Sequence, residues 1–444
     1  MKRKALSLLL VLAMVLTLLP MAAFAEVNVG DLGEGSYNQI LSKTEYGVAP
    51  GITETDIVIN NKQLTEQNMG YVMEIDMTNP NVHVVAGYKD YQGETWGMQT
   101  VRDQAAKAEA ALKQTAGFGA DTKIVGAINA NFFNMATGEP LGPLVMNGKI
   151  CHNIDNNHEY GYFAVFEDGH AEILRDDVPI SADVVEAMGG ANMLLEDGNI
   201  CASAMDGHAQ GSRNPRSAVG IKADGTVVLY EVDGRQAPMS VGMTCNEMAE
   251  ILKGMGCVDA VLLDGGGSST FCTRREGSDT LEVQNSLSDG NERTVSGTIL
   301  IASTAAADGE FARAAVTPRG KYYTPGSQIQ FNAKGVDAAG YKADLPQGLV
   351  WALADDAAGT IDANGLFTAA ADFTGEVLVQ LKLGARVVGS ATVQIQKPDK
   401  LEFANDGLNL KYNEVKDLGL SAKYKGNEVI YKVGDIDWDV SKET

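Results

Sequence analysis

Three Asx-Gly pairs that stand between apolar runs constrain the fold of this chain most. They are Asn147-Gly148, Asp168-Gly169 and Asp224-Gly225. The tight turns of β-hairpins need residues that accept positive φ, and Asn, Asp and Gly do so with little strain. The segment of about residues 55–305 is therefore predicted to be an α+β domain, mostly antiparallel sheet with packed helices.

Two helices are predicted inside this segment, over residues 98–114 and 245–255. The second starts with a capping box, in which Thr244 and Glu247 satisfy each other's backbone N–H groups, and Gly256 can end it. Its apolar side chains repeat with helical spacing, so one face is expected to pack on the sheet. The apolar run that follows is predicted to be a buried strand.

The predicted strand ends in the stretch LLDGGGSSTF, in which a carboxylate follows the apolar residues and three glycines follow the carboxylate. The carboxylate would face open space, since no bulky side chain follows it, and it is compatible with the role of nucleophile, electrostatic stabiliser, base or ligand of a divalent metal. The glycines can turn successive N–H groups toward an anion, and the next two hydroxyls can donate to it. The structural alternative is an ordinary Asx turn. The candidate residues of this stretch are Asp264, Gly265, Gly266, Gly267, Ser268 and Ser269.

Polar residues in other blocks are candidates for the same site. An arginine before a predicted hairpin strand could hold a phosphate with two hydrogen bonds, and a surface salt bridge is its alternative. Amides after the strand KIVGAI could hold a polar ligand. A glutamate in the next loop would be the second carboxylate, with a solvated loop residue as the alternative, and one loop histidine could donate a proton. These candidates are Arg216, Arg293, Asn129, Asn131, Thr137, Glu139 and His208.

Residues 1–25 have the pattern of a secretory signal peptide, with three cations, an apolar run, and small residues at Ala23 and Ala25. No later apolar run is long enough to span a bilayer, so the mature chain is expected to be secreted or held at the cell surface. Removal of the signal would change the formal net charge from −23 to −26. Such an acidic surface repels phosphate backbones, which argues against nucleic acid as a partner.

The composition changes near residue 305, so residues 26–306 are predicted to form one domain, which contains the candidate site. Residues 307–398 alternate in the manner of strands and are predicted to form an immunoglobulin-like β-sandwich. Residues 399–444 are predicted to be a partial second repeat, because Trp351 and Trp438 occupy matching positions 87 residues apart.

All five cysteines lie in the middle of the chain, and no CxxC spacing points to a metal cluster. The predicted helix separates Cys245 from Cys257 by about 18 Å, which is too far for a disulfide. The sequence leaves open a bridge between Cys151 and Cys201, or between Cys257 and Cys272.

Four sequence blocks occur in this order: GAINANFFNMATGEPLG (126–142), NPRSAVG (214–220), TCNEMAEILKGMGCVDAVLLDGGGSSTF (244–271) and ERTVSGTIL (292–300). Together they resemble the phosphodiester glycosidases related to N-acetylglucosamine-1-phosphodiester α-N-acetylglucosaminidase, the "uncovering enzyme". The resemblance covers about residues 70–303, and the C-terminal strands are similar to bacterial immunoglobulin-like group 2 domains.

The resemblance implies a hydrolase that cleaves the glycosidic C–O bond of a sugar 1-phosphodiester and releases sugar and a phosphomonoester. It also implies that Arg216 binds phosphate and that the amides of Asn129 and Asn131 hold sugar hydroxyls. The expected substrate is a phosphate-linked glycan, such as an α-N-acetylglucosamine 1-phosphodiester or a related cell-surface phosphoglycan, with the immunoglobulin-like domains contacting the cell wall or surface. One alternative is a non-catalytic glycan-binding protein on the same fold. Another is a phosphodiesterase that cleaves P–O, which would need a metal cluster of Asp and His.

Overall fold

The computed structural model describes residues 37–61, 63, 65–204, 211–403, 411–415 and 419–436. The predicted signal peptide, the candidate proton donor His208 and Trp438 lie outside the described residues. Within the described ranges, no helix has both the length and the apolar character that a bilayer span requires.

The part between Tyr37 and Ser303 contains seventeen strands and two α-helices in the residues described. The helices are α1 (Val101–Leu112) and α2 (Cys245–Gly254). The strands are β1 (Tyr37–Ala49), β2 (Ile52–Asn61), β3 (Gln67–Ile75), β4 (Val82–Tyr88), β5 (Lys123–Asn129), β6 (Leu144–Met146), β7 (Lys149–His152), β8 (Tyr160–Phe166), β9 (Ala171–Arg175), β10 (Val184–Glu196), β11 (Asn199–Ile200), β12 (Arg216–Lys222), β13 (Val227–Val232), β14 (Cys257–Leu262), β15 (Phe271–Thr273), β16 (Glu282–Val283) and β17 (Gly297–Ser303).

These strands form two antiparallel sheets. The larger has the order β1-β2-β3-β13-β12-β14-β10-β6-β7, with β8 and β11 paired to β10, and β9 to β8. The smaller has the order β16-β15-β5-β17-β4. The three Asx-Gly pairs connect β6 to β7, β8 to β9 and β12 to β13, each an antiparallel pair. The prediction of mainly antiparallel sheet with few helices is therefore confirmed for this part.

Alternating side chains stack the elements in four layers. In β17, Ile299 and Ile301 enter the core between the two sheets, while Leu300 packs with α1 on the outer face of the smaller sheet. In β13, Leu229 enters the same central core, whereas Tyr230 packs with α2 behind the larger sheet. Because successive residues of a strand face opposite sides, each sheet buries both faces.

Helix α2 begins and ends as predicted. Thr244 accepts a hydrogen bond from the Glu247 N–H, and the Glu247 side chain accepts one from the Thr244 N–H. Gly256, at φ 91°, follows the last turn. The buried face of α2 lies on β14, the strand that leads to the glycine run. Capping of this kind stabilises a helix by about 1 kcal/mol, and here it fixes the layer behind the candidate site.

Thirteen further strands follow in the described C-terminal residues, and they form three sheets with the orders β18-β21-β22, β20-β25-β24 and β23-β26-β27-β19-β30-β29-β28. Apolar side chains from all three sheets share one core. The strands are β18 (Arg313–Thr317), β19 (Tyr322–Tyr323), β20 (Gln328–Gln330), β21 (Asn332–Val336), β22 (Lys342–Ala343), β23 (Leu349–Leu353), β24 (Gly359–Ile361), β25 (Leu366–Ala369), β26 (Gly375–Leu383), β27 (Arg386–Ile395), β28 (Lys400–Phe403), β29 (Leu420–Tyr424) and β30 (Asn427–Ile430).

Strand β19 pairs in parallel with both β27 and β30, so the residues predicted to begin a second repeat extend the sheet of the first. Ion pairs join this part to the N-terminal sheets: Glu276 accepts hydrogen bonds from Arg313 and Arg319 at 3.0 and 3.3 Å. The immunoglobulin-like assignment itself stays a prediction. All five cysteines are free thiols.

Candidate active site

The candidate site lies where the central strand of the larger sheet ends. β14 runs between β12 and β10, and beyond its last residue the Leu263 N–H donates to the Ser217 carbonyl at 2.9 Å. The next N–H, that of Asp264, donates to the Ala130 carbonyl at 2.8 Å. Since Ala130 follows β5 of the smaller sheet, Asp264 stands where the two sheets meet.

The Asp264 carboxylate is half-buried and is hydrogen-bonded by the loop that follows it. Its Oδ1 accepts the Gly265 N–H at 2.8 Å, and the Ser268 hydroxyl also donates to the carboxylate. Burial raises the pKa of Asp264 above its usual value, and these two donors together with the nearby charge of Arg293 oppose that rise. A partly desolvated carboxylate interacts more strongly with a developing positive charge than a fully hydrated one.

Asn129 fixes the main chain beneath this carboxylate. Its Nδ2 donates to the Asp264 carbonyl at 2.6 Å, and its Oδ1 accepts from the Ser217 hydroxyl at 2.8 Å and the Thr270 N–H at 3.0 Å. Asn129 is fully buried, with these bonds directed into the protein. The prediction that it holds a sugar hydroxyl is therefore replaced by a positioning role.

The first two glycines of the run pack closely, and their amides are not available for the predicted anion nest. The Gly265 N–H is taken by Asp264, and the Gly266 N–H donates to the Pro215 carbonyl at 2.9 Å, so neither amide faces an open cradle. A Cβ at Gly265 would lie 2.9 Å from that same carbonyl, and Gly266 has φ 63°. The physical reason for the first two glycines is thus close backbone contact and a left-handed conformation.

Arginine side chains lie against the second and third glycines. A Cβ at Gly266 would lie 3.0 Å from Nη2 of Arg235, and a Cβ at Gly267 would overlap Nη2 of Arg293. The Nη1 of Arg293 also approaches the Ser268 Oγ at 3.4 Å. Two guanidinium groups therefore lie directly against the main chain that follows Asp264, where an anion would meet both.

Arg235 was missed by the sequence reasoning. It is exposed, and its Nε donates to the Asn214 Oδ1 at 3.0 Å. No acidic side chain forms a salt bridge with it among the residues described, although the chain is strongly acidic. The predicted hairpin could have indicated it. Because β12 and β13 are antiparallel and pair Arg216 with Val232, the residues that follow β13 lie next to the start of β12.

Arg216 lies beneath the site and is largely covered. Its side chain is buried at 7% exposure, with Nε bonded to the Met243 carbonyl at 3.1 Å and Nη2 to the Ser212 carbonyl at 2.8 Å. Burial and the neighbouring charge of Arg235 lower its pKa. The structure thus brings Arg216 next to Gly265, where it holds the loop. Direct phosphate contact by Arg216 stays a prediction.

The other predicted residues surround the site less directly. Asn131 is buried and donates to the Leu141 carbonyl at 3.1 Å, which fixes the loop after β5. Thr137 is exposed and its Oγ1 accepts the Glu139 N–H. In the described part of the chain, no hydrogen bond joins Glu139 or Thr137 to Asp264. Ser269 is buried, and its hydroxyl has no partner there.

No group of three or more His, Cys, Asp or Glu side chains that could hold a metal ion occurs within the described ranges. The two carboxylates closest to the glycine run, Asp264 and Asp289, are each engaged by donors of the protein. The donor set therefore fits an anion bound by guanidinium groups better than a metal bound by carboxylates.

A second pair of acidic residues, Glu231 and Asp233, lies in the interior at the end of β13. Asp233 is fully buried and accepts the Ser286 N–H at 2.9 Å, yet burial raises its pKa to about 7. The neighbouring Glu231 is also fully buried, and neither of its carboxylate oxygens has a partner in the described chain. Burial and the charge of Asp233 raise the pKa of Glu231 well above its usual range.

The raised pKa of Asp233 predicts a stability profile. The folded state keeps a proton that the unfolded state loses above the ordinary pKa of 3.8, so the free energy of unfolding should fall as pH rises from about 4 to about 7. The loss from Asp233 alone is up to about 4 kcal/mol. Denaturant titrations from pH 4.5 to 7.5 measure it, and Asp233→Asn should make the profile less steep. A wild-type stability that rises over this range would contradict the prediction.

Gly267→Ala tests the close contact of the arginine with the glycine run. The added methyl group would displace Arg293 and Asp289, so we expect anion affinity to fall about tenfold with little loss of stability, because flexible side chain ends can move. Gly119→Ala is the matched control, since a Cβ there meets nothing within 4 Å. Equal phosphate affinity of both variants, measured by calorimetry, would show that the contact is unimportant.

Residues 122–302 match the model of the phosphodiester glycosidase family. This range contains Asp264, the glycine run and the three arginines that surround it. The SPβ prophage-derived uncharacterized protein YomE of Bacillus subtilis (strain 168) is 33% identical over 184 residues, which cover 39% of this chain and 27% of that protein.

The N-acetylglucosamine-1-phosphodiester alpha-N-acetylglucosaminidase of Mus musculus is 30% identical over 166 residues, or 33% of this chain and 31% of the mouse protein. The chain therefore spans about a third or less of the length of these curated relatives.

Among solved structures, the zebrafish N-acetylglucosamine-1-phosphodiester alpha-N-acetylglucosaminidase catalytic domain auto-inhibited by pro-peptide aligns with a TM-score of 0.42 and 19% identity. The alignment covers 59% of this chain and 88% of that one. A hypothetical protein from Synechocystis aligns with a TM-score of 0.44 and 14% identity, over 59% and 64% of the two chains.

Proposed function

We propose that this chain is a phosphodiester glycosidase that hydrolyses the bond between the anomeric carbon of a sugar and the oxygen of a phosphodiester. The observation that carries the proposal is the placement of a half-buried carboxylate, Asp264, and two guanidinium groups, Arg235 and Arg293, against one glycine run. The match of residues 122–302 to the phosphodiester glycosidase family supports it.

The arrangement suits the charges of this reaction. As the C–O bond breaks, positive charge develops on the sugar ring and negative charge on the departing phosphate. Asp264 would stabilise the first, while Arg235 and Arg293 would bind the second with charge-assisted hydrogen bonds. A phosphomonoester leaves readily as an anion, so the reaction needs less protonation of the leaving group than an ordinary glycoside does.

The substrate that we infer is an α-N-acetylglucosamine 1-phosphodiester or a related surface phosphoglycan, as the name of the mouse relative suggests. We also propose that the protein is exported, because its first 25 residues have the pattern of a signal peptide. Contact of the C-terminal sheets with a cell wall is part of the same proposal.

A direct assay tests whether the sugar is released from the diester, and isotope labelling of the products then distinguishes C–O cleavage from cleavage of the neighbouring P–O bond. The purified protein is given methyl N-acetylglucosamine-1-phosphate diester, and free N-acetylglucosamine and methyl phosphate are measured together. We expect equal release of both. Binding of the diester without release would favour a non-catalytic glycan-binding protein, and the appearance of N-acetylglucosamine 1-phosphate with methanol would show cleavage of a P–O bond.

A further inference from the structure

A carboxylate that was not predicted lies directly over the third glycine. Nε and Nη2 of Arg293 both donate to Oδ2 of Asp289, at 2.9 and 2.6 Å. A Cβ at Gly267 would overlap the Asp289 carboxylate as well as Arg293, so the ion pair rests on the bare main chain. The carboxylate therefore occupies the position next to Arg293 that an incoming phosphate needs.

The ion pair between Arg293 and Asp289 is weak enough for another anion to replace Asp289. About a third of each side chain is exposed, at 33% for Arg293 and 34% for Asp289. Such pairs gain little in water, because hydration of the separated charges nearly balances their attraction. A phosphate that binds Arg293 and Arg235 together can therefore displace the Asp289 carboxylate.

Displaced Asp289 cannot move far from the site. The loop that carries it is anchored on one side by Ser286, whose N–H donates to Asp233 at 2.9 Å and whose hydroxyl donates to the Gln236 Oε1 at 2.7 Å. On the other side, Glu292 forms an ion pair with Arg102 at 2.8 Å. The negative charge thus stays beside any anion bound at Arg293.

We propose that Asp289 makes the site select phosphodiesters over phosphomonoesters. The inference rests on the proposed function, and it concerns the charge of the bound anion. A diester carries one negative charge, whereas a monoester carries nearly two above its second pKa near 6. The charge of Asp289 repels the monoester more strongly, so it favours binding of the substrate and release of the product.

The experiment compares two probes at pH 8 by calorimetry. Dimethyl phosphate stands for the diester, and methyl phosphate for the monoester. Asp289→Asn keeps the shape of the side chain and removes its charge. In this variant, the ratio of the affinity for methyl phosphate to the affinity for dimethyl phosphate should rise about threefold to tenfold. Asp289→Glu should restore the wild-type ratio of affinities.

Asp279→Asn is the matched control. It removes the same charge from an exposed pair with Lys342, away from the glycine run. An unchanged ratio in Asp289→Asn, or an equal change in the control, would overturn the inference while the anion site stands. Failure of both probes to bind any variant would overturn the anion site, and with it the proposed function. Thermal unfolding of each variant checks that the fold is kept.

Discussion

Replacement of Asp264 by Asn is expected to lower kcat on a sugar 1-phosphodiester by about 10³-fold while the protein stays folded. The amide keeps the size of the side chain and can still accept the Gly265 N–H, so the loop geometry should persist. It lacks the negative charge that would oppose the positive charge on the sugar ring. The loss of one such electrostatic partner costs a factor of about 10² to 10³ or more. Steady-state kinetics on the diester measures it.

Asp259→Asn is the control for this variant. Asp259 lies on β14, the strand that leads to Asp264. It is also partly buried, and it accepts the Asp197 N–H at 3.0 Å, a bond that an amide can also accept. Its activity should stay within about twofold of the wild type. If Asp264→Asn keeps wild-type turnover and the control behaves as expected, Asp264 is not the charged group of the reaction.

Arg235→Ala is expected to have the second largest effect, with kcat/KM about 10²-fold lower. The substitution removes a charge-assisted hydrogen bond to phosphate, and stability should change little because the side chain is exposed. Binding of inorganic phosphate should weaken in parallel, and Arg235→Lys should recover only part of it, since an ammonium group cannot bind in a bidentate way.

Arg386→Ala provides the comparison for Arg235→Ala. Like Arg235, Arg386 is exposed and donates to an uncharged oxygen, the Ala312 carbonyl at 2.7 Å, but it lies in the C-terminal sheets. The comparison separates loss of local contact with phosphate from loss of positive charge in general. Unchanged phosphate affinity in Arg235→Ala would place the anion elsewhere.

Local patterns allowed much of this architecture to be predicted. The hairpins followed from the Asx-Gly pairs, and the caps of α2 from Thr244, Glu247 and Gly256. The position of Asp264 at a strand end followed from an apolar run that stops at a carboxylate. Each of these depends on residues that are close in sequence, which is why the amino-acid pattern alone indicated them.

The lining of the site depends on contacts between distant segments, and there the predictions were incomplete. Arg235 and Asp289 reach the glycine run from separate loops. The hairpin of β12 and β13 could have placed Arg235 there, whereas the loop of Asp289 carries no such signal. The glycines were predicted to bind an anion with their amides, yet Pro215 from another segment takes the Gly266 amide. Asn129 was predicted to hold a sugar hydroxyl, and its amide instead donates to the main-chain carbonyl of Asp264. Burial of this kind is fixed by packing, which the sequence does not show directly.

Identification of the bond that is cleaved tests the central claim most directly. A sugar 1-phosphodiester is hydrolysed in ¹⁸O-labelled water, and the phosphomonoester product is examined by ³¹P NMR, in which a bound ¹⁸O shifts the signal. The account predicts an unlabelled phosphomonoester, because water attacks the anomeric carbon and the C–O bond breaks. A labelled phosphomonoester would show attack at phosphorus and would contradict the account.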